Sequence, residues 1–336
     1  MRSRLLLFAV LIGTGFGCSD WNARLAQLSA QSGDYETAAA RFERAAEGGD
    51  HQSELQLGLL YYQGLGVEQD FEAALFWLYR AAVAGNQYAQ FRLGQMYERG
   101  EGTPVNVDQA VYWYNAAAEN GETLAEVALG ELYITGRGVE EDPGLARRYF
   151  TSAAEAGNAQ AQFRLSEIYE REGGAERSKT MLQAAASQEH GLAQAGLGRT
   201  SKRSGSQDEA EEWLRRSALQ GNPSAQHDLA ALLKTQGRHK EALRWLHYAA
   251  AENYAPAQVD LAESLLESGD VVAGAEQFRL AAENENAYAQ YRLGELYAEG
   301  RGVDQDFNAA LEWFRRASPS MPVAAARAEQ IESSRR

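Results

Sequence analysis

Apolar residues recur along this chain with a helical period, in segments that repeat. Around Ala89 and Gln90 the run reads Ala-Gln-x-x-Leu-Gly-x-x-Tyr; Ala89, Leu93 and Tyr97 stand four apart, so one face of a helix is apolar. Gly94, inside that face, is read as allowing close backbone approach. A short connection leads to a second periodic segment. Its starting residue falls in one column, Asp34, Asp70, Asn106, Asp142, Gly174, Ser206, Arg238, Asp270 and Asp306, which is mostly helix N-cap chemistry. Pro143, just after Asp142, suits the first helical position. Further on come an aromatic column (Trp77, Trp113, Tyr149, Trp213, Trp245, Trp313) and a bulky one directly after it (Phe42, Leu78, Tyr114, Phe150, Leu182, Leu214, Leu246, Phe278, Phe314). Small pairs such as Ala81-Ala82 and Ala117-Ala118 follow one turn later. Bulky residues beside alanines let neighbouring helices interlock, so each unit is predicted to be a helical hairpin.

The Ala-Gln pair recurs at Ala161-Gln162, Ala193-Gln194, Ala225-Gln226, Ala257-Gln258 and Ala289-Gln290, with degenerate copies at Asn22, Glu54 and Glu126. From Asn22 the steps are 32, then 36 three times, then 32 four times, and nine units cover about residues 20–318. Periods of this size signal a solenoid, in which each hairpin is covered only by its neighbours and the end units need caps. The alanine-rich stretch Pro322 to Ile331 is expected to be a final capping helix, within a C-terminal segment 319–336.

These residues resemble the Sel1-like repeat, a relative of the tetratricopeptide repeat. Four of the nine units carry its longer loop: Tyr61 with Gly64-Leu65-Gly66-Val67, Tyr97 with Gly100-Glu101-Gly102, Tyr133 with Gly136-Arg137-Gly138-Val139, and Tyr297 with Gly300-Arg301-Gly302-Val303. The other units lack that loop and look closer to tetratricopeptide hairpins. The resemblance implies an all-α fold, an alpha-solenoid of about nine stacked hairpins over residues 18–318, with a concave face built chiefly by first helices. It also implies a protein-protein interaction scaffold that needs no catalysis and no cofactor. Secreted relatives that staple each hairpin with a disulfide differ from this chain, which has one cysteine and must rely on stacking.

The amino terminus adds an address. Arg2 and Arg4 precede the apolar run Leu5 to Ile12, and small residues lead to Cys18, so residues 1–17 read as a signal peptide. The run is short for a bilayer span. The single cysteine at its end resembles the lipobox of bacterial lipoproteins: Gly17 fits the preceding position, whereas Gly15 departs from the usual branched residue. Lipidation of Cys18 and anchoring to a membrane are the expectation. Ser19 in place of an aspartate favours, by the same resemblance, the outer membrane facing the periplasm. The alternative is ordinary cleavage nearby and a soluble periplasmic or secreted protein.

Charge narrows the partners. With 32 basic and 47 acidic side chains the net charge is −15, which argues against nucleic acid or anionic lipid as the main partner. Gly-x-Gly loops that follow helices and lack a third glycine read as turns, not as a dinucleotide site. The five histidines, His51, His190, His227, His239 and His247, lack the spacing of a helical metal pair and read as surface or half-buried packing residues. No acid/base pair stands out among the carboxylates. The tryptophan column reads as hairpin core, with carbohydrate stacking as the alternative.

The polar columns of the first helices are more informative. They hold Arg92, Gln95, Glu131, Arg164, Glu167, Arg199, Asp228, Asp260, Glu263, Arg292 and Glu295. Arg164/Glu167 and Arg292/Glu295 have the i, i+3 spacing of helix-supporting pairs. The same repetition suits binding an extended peptide or a partner helix, and the sequence leaves both readings open. The function these features favour is a non-catalytic envelope scaffold that holds partner proteins. Lipoproteins similar to it act in assembly, including that of exopolysaccharide secretion complexes. A secreted effector and an enzyme acting on envelope glycans are the alternatives; no catalytic constellation supports the latter.

Overall fold

The computed structural model describes the backbone of residues 18–335 and the side chains of residues 21–335. The leader expected over residues 1–17 and the side chain of Cys18 lie outside the described residues. The chain folds as α1 (Cys18–Gln31), α2 (Tyr35–Glu47), α3 (His51–Gln63), α4 (Phe71–Val83), α5 (Gln87–Arg99), α6 (Val107–Glu119), α7 (Thr123–Thr135), α8 (Pro143–Glu155) and α9 (Ala159–Arg171). It continues as α10 (Ala175–Ser187), α11 (Gly191–Arg203), α12 (Gln207–Leu219), α13 (Pro223–Thr235), α14 (His239–Ala251), α15 (Ala255–Ser268), α16 (Val271–Glu283), α17 (Ala287–Glu299), α18 (Phe307–Ala317) and α19 (Pro322–Ser334). Helices pair in order as α1 with α2, α3 with α4, α5 with α6, α7 with α8, α11 with α12, α13 with α14, α15 with α16 and α17 with α18, and α19 packs its Ala324 and Ala328 against α18. This is an all-α solenoid of helical hairpins. Its contacts divide it into two compact units, one ending at Leu165 and one beginning at Ser166.

Local chemistry sets the helix ends. Asp34, Asp70, Asn106, Asp142, Asp270 and Asp306 each accept a first-turn backbone N–H, as N-caps do. Gly174, Ser206 and Arg238 make no such side-chain bond. The first helices have their own caps, among them Asp50, Asn86, Asn222 and Asn286. At α11 the N-cap is a histidine: His190 Nδ1 accepts the Ala193 N–H at 3.2 Å, so this residue, expected only to pack, starts a helix.

The helical glycine makes a slot for a side chain and, in some hairpins, a close backbone approach as well: a Cβ on Gly94 would stand 2.5 Å from the Tyr114 ring, and one on Gly198 2.6 Å from the Leu214 side chain and 3.2 Å from its backbone nitrogen. The residue that fills the slot comes from the second helix of the same hairpin. Its column is the core, with Tyr114, Phe150, Phe278 and Phe314 fully buried. The aromatic column one residue earlier is half-buried, save Trp113, and faces the preceding hairpin. Trp77 packs on the cluster of Phe42, Leu57 and Leu60, and Trp313 on that of Phe278, Leu293 and Leu296. Leu57 and Leu60, like Leu293 and Leu296, belong to the ring's own hairpin and Phe42 and Phe278 to the one before, so these rings serve the hairpin core and the seam together.

Candidate partner-binding face

The marker glutamines explain how hairpins are held in register, and so how the first helices come to lie side by side. Each donates its Nε2 N–H to the carbonyl of the second small residue of the preceding helix: Gln90 to Ala82 at 3.0 Å, Gln162 to Ala154 at 3.3 Å, Gln194 to Ala186 at 3.4 Å, Gln226 to Ala218 at 3.1 Å, Gln258 to Ala250 at 3.3 Å and Gln290 to Ala282 at 3.1 Å. That carbonyl belongs to the last turn of a helix, where it accepts the N–H three residues on, as Ala82 does from Gly85 and Ala154 from Gly157, and the glutamine takes its second acceptor position. The other end of the amide ties the hairpin to itself. Gln90 Oε1 accepts from Asn120 at 2.9 Å, Gln194 from Gln220 at 3.0 Å and Gln258 from Asn284 at 3.4 Å, each donor standing at the end of that hairpin's second helix.

Glu54 replaces the glutamine with a fully buried carboxylate. Arg80 supplies the missing donors: its Nη2 lies 2.7 Å from Glu54 Oε1, in ion-pair contact but off the line of a good hydrogen bond, and donates to the Ala46 carbonyl at 3.4 Å. His51 Nδ1 lies 2.9 Å from the second oxygen. At Glu126 the partner is Ser152, whose hydroxyl donates at 2.5 Å.

The longer loops add a second tie between hairpins. A Cβ on Gly102 would fall 2.6 Å from the Phe71 carbonyl carbon, and one on Gly302 2.7 Å from that of Val271. Both glycines have positive φ, so the loop lies against the start of the previous hairpin's second helix in a conformation that favours glycine.

With the hairpins fixed this way, the polar residues of adjacent first helices meet across the seams. Arg164 donates through Nε and Nη2 to Glu131, the latter at 3.2 Å. Arg199 pairs with Asp228 at 3.1 Å, His227 with Asp260 at 3.0 Å, and Arg292 with Glu263 at 2.9 Å. Arg292 Nε also approaches Glu295 at 3.4 Å. Arg92 donates to Gln95 at 2.7 Å and lies over the Tyr62 ring. Glu167 stands on α9, one turn after Arg164. Of the helix-supporting pairs expected from spacing, Arg292/Glu295 is present as a longer contact.

The second helices carry a separate network. Arg215 and Arg238 each contact both Glu211 and Glu241, over 2.5–2.9 Å. Burial pushes both carboxyls up, and hydrogen bonds from the two arginines overcome that and hold them below their ordinary value. Arg215 and Glu241 also line a cavity of about 430 Å³ with Gln226, Arg244, Trp245 and Tyr248. Among the described residues, no group of three His, Cys, Asp or Glu is placed to hold a metal ion, and no helix is long and apolar enough to cross a membrane.

Fold and face together define a helical-repeat protein of the kind that works by contact with other proteins. The Sel1 repeat profile matches residues 51–86, 87–122, 123–158, 159–190, 189–222 and 287–318, and a tetratricopeptide repeat profile matches residues 223–247. The chain belongs to the Sel1 repeat family, whose members are generally non-catalytic protein-protein interaction scaffolds. Among solved structures it is similar to a protective antigen of uropathogenic Escherichia coli with an SLR fold, at 27% identity and TM-score 0.52 over 94% of this chain and 80% of that one. It is also similar to a Sel1 repeat protein from Oxalobacter formigenes, at 27% identity and TM-score 0.63 over 68% of this chain and 99% of that one. A search of curated proteins gave no significant match.

Proposed function

We propose that this chain is an exported, lipid-anchored scaffold of the bacterial cell envelope that holds a partner protein on the face of its first helices. The observation that carries the partner half is the set of polar contacts across successive first helices, Glu131 with Arg164, Arg199 with Asp228 and Glu263 with Arg292. Within each compact unit it gives an extended partner polar groups whose side chains are already ordered, which lowers the entropy cost of binding. The anchor half rests on the basic, apolar and small-residue order of residues 1–17 ending at Cys18. α1 begins at Cys18 itself, so an acylated Cys18 would hold the first hairpin directly beside the headgroups. A partner in or beside the outer membrane, such as a component of an exopolysaccharide secretion complex, is then within reach.

Metabolic palmitate labelling tests the anchor. The wild type is expected to take label and to fractionate with membranes, and Cys18→Ser to lose both; an unlabelled, soluble wild type refutes it and leaves the secreted or soluble periplasmic reading. Mild crosslinking in envelope extract tests the partner, with charge reversal at Glu131 and Asp228 expected to change what is captured.

A further inference from the structure

The first-helix face contains one site whose internal partner is missing, and the ninth hairpin shows what that partner does elsewhere. On α17, the Tyr288 hydroxyl donates to Glu263 Oε1 at 2.8 Å, Arg292 Nη1 stands 2.9 Å from the same oxygen, and Arg292 donates to the Tyr288 oxygen at 3.2 Å. A tyrosine and an arginine one turn apart thus grip a carboxylate offered by α15. The same pair, Tyr88 and Arg92, stands on α5 at the same places relative to its marker, Gln90, as Tyr288 and Arg292 have to Gln290. The residue of α3 that corresponds to Glu263, five after the marker position, is Leu59.

The consequence is visible at Arg92. Among the described residues it makes no ion pair; Nη1 is held by Gln95 Oε1 at 2.7 Å, and the guanidinium carbon lies 4.3 Å from the centre of the Tyr62 ring. Tyr88 is 38% exposed, and among the described residues its hydroxyl makes no hydrogen bond. The cation is therefore fixed in place without being neutralised, in a chain of net charge −15 where acidic partners for arginine are plentiful.

We propose that Tyr88 and Arg92 form a carboxylate-binding site that reads an acidic group on the partner protein, in the manner of Tyr288 and Arg292 toward Glu263. This rests on the reading of the first helices as the partner-binding face. The cation is pre-oriented by Tyr62 and Gln95, so little rotamer freedom remains to be lost when a carboxylate arrives. A charge-assisted bond from guanidinium and phenol to one oxygen is the stronger class of hydrogen bond. The carboxylate comes from an Asp or Glu side chain or from a chain terminus.

The test uses the full mature chain and an array of random-sequence extended peptides, synthesised in parallel as free acids and as C-terminal amides. Binders are expected to share an Asp or Glu at one position, or to need the free terminus, which separates the two sources. Replacing that acid by its amide, or amidating the terminus, is expected to weaken binding about tenfold, the low end for a hydrogen bond to a charged group. Arg92→Gln is expected to remove this preference. Leu59→Glu is expected to remove it too while keeping the arginine, because it restores the internal carboxylate of the ninth hairpin; circular dichroism checks that both variants stay folded. Peptides that bind the wild type equally well with and without the acid overturn this proposal alone, as does a Leu59→Glu chain that still selects acids. An array with no binder overturns both it and the reading of the face on which it rests.

Discussion

Replacing Gly302 by alanine separates the cost of backbone conformation from the cost of prying two hairpins apart. Gly302 has φ of +76°, and a Cβ there would fall 2.7 Å from the Val271 carbonyl carbon and nearer still to its oxygen. The obstacle is backbone at the start of α16, which cannot swing away as a side chain can. Gly269 provides the comparison: its φ is +92°, and nothing lies within 4 Å of a Cβ built on it. Alanine in the left-handed region costs roughly 1–2 kcal/mol at either position. At residue 302 an ordinary carbon contact of about 3.5–4.0 Å also requires the loop to back off by roughly 1 Å, a gap that forfeits up to half of each dispersion contact it opens. Val303 and Tyr297 pack on the cluster of Ala262, Ala275 and Phe278 across that seam, so they loosen with it. Overpacking of this kind costs about 1–3 kcal/mol more. Gly302→Ala is thus expected to destabilise by about 2–5 kcal/mol and Gly269→Ala by about 1–2 kcal/mol, measured by urea unfolding. Hydrogen exchange should show the extra loss concentrated in α16 and α17. Equal destabilisation, within about 0.5 kcal/mol, would refute the loop as a tie between hairpins.

Two further outcomes follow from the hydrogen-bond networks. Glu252→Gln is expected to stabilise the chain by about 1 kcal/mol in thermal or urea unfolding. Gln226 Oε1 is buried and unpartnered, and Glu252 occupies the place from which Gln220 and Asn284 donate in their own hairpins, yet an ionised carboxylate has no proton to give. The second concerns acid. Because Glu211 and Glu241 are held below their ordinary value in the folded chain, their contribution is present above the unfolded carboxyl pKa of about 4.3 and is lost as pH falls through the lower folded value. The urea midpoint of the wild type should therefore drop more steeply below about pH 4 than that of Glu211→Gln, and parallel curves would contradict this.

Much of the fold was legible in the chain because helical periodicity and repeat period are properties of sequence alone. Apolar residues four apart, a cap column at each second helix and nine spaced units were enough to predict hairpins and their order. A further signal was present and unread: hairpins whose marker is Gln90, Gln194 or Gln258 end their second helix in Asn120, Gln220 or Asn284, whereas those with Glu54 or Glu126 end in Ala84 or Ala156. That pattern is the two-armed amide bond seen in the structure, and it lapses in the hairpins of Gln226 and Gln290, which end in Glu252 and Ser318. The direction in which side chains point could not be read in the same way. Two bulky columns one residue apart are about 100° apart on a helix, and only packing decides which enters the glycine slot and which reaches the preceding hairpin. Likewise Arg164, Arg199 and Arg292 show spacing to acids within their own helices or none at all, but the acids they meet lie 29 to 33 residues away, on the next or previous first helix. Sequence period fixed how many hairpins there are and where each begins; register between them, set by buried amides and close glycine contacts, decided which charges are neutralised and left Arg92 with no ion-pair partner among the described residues.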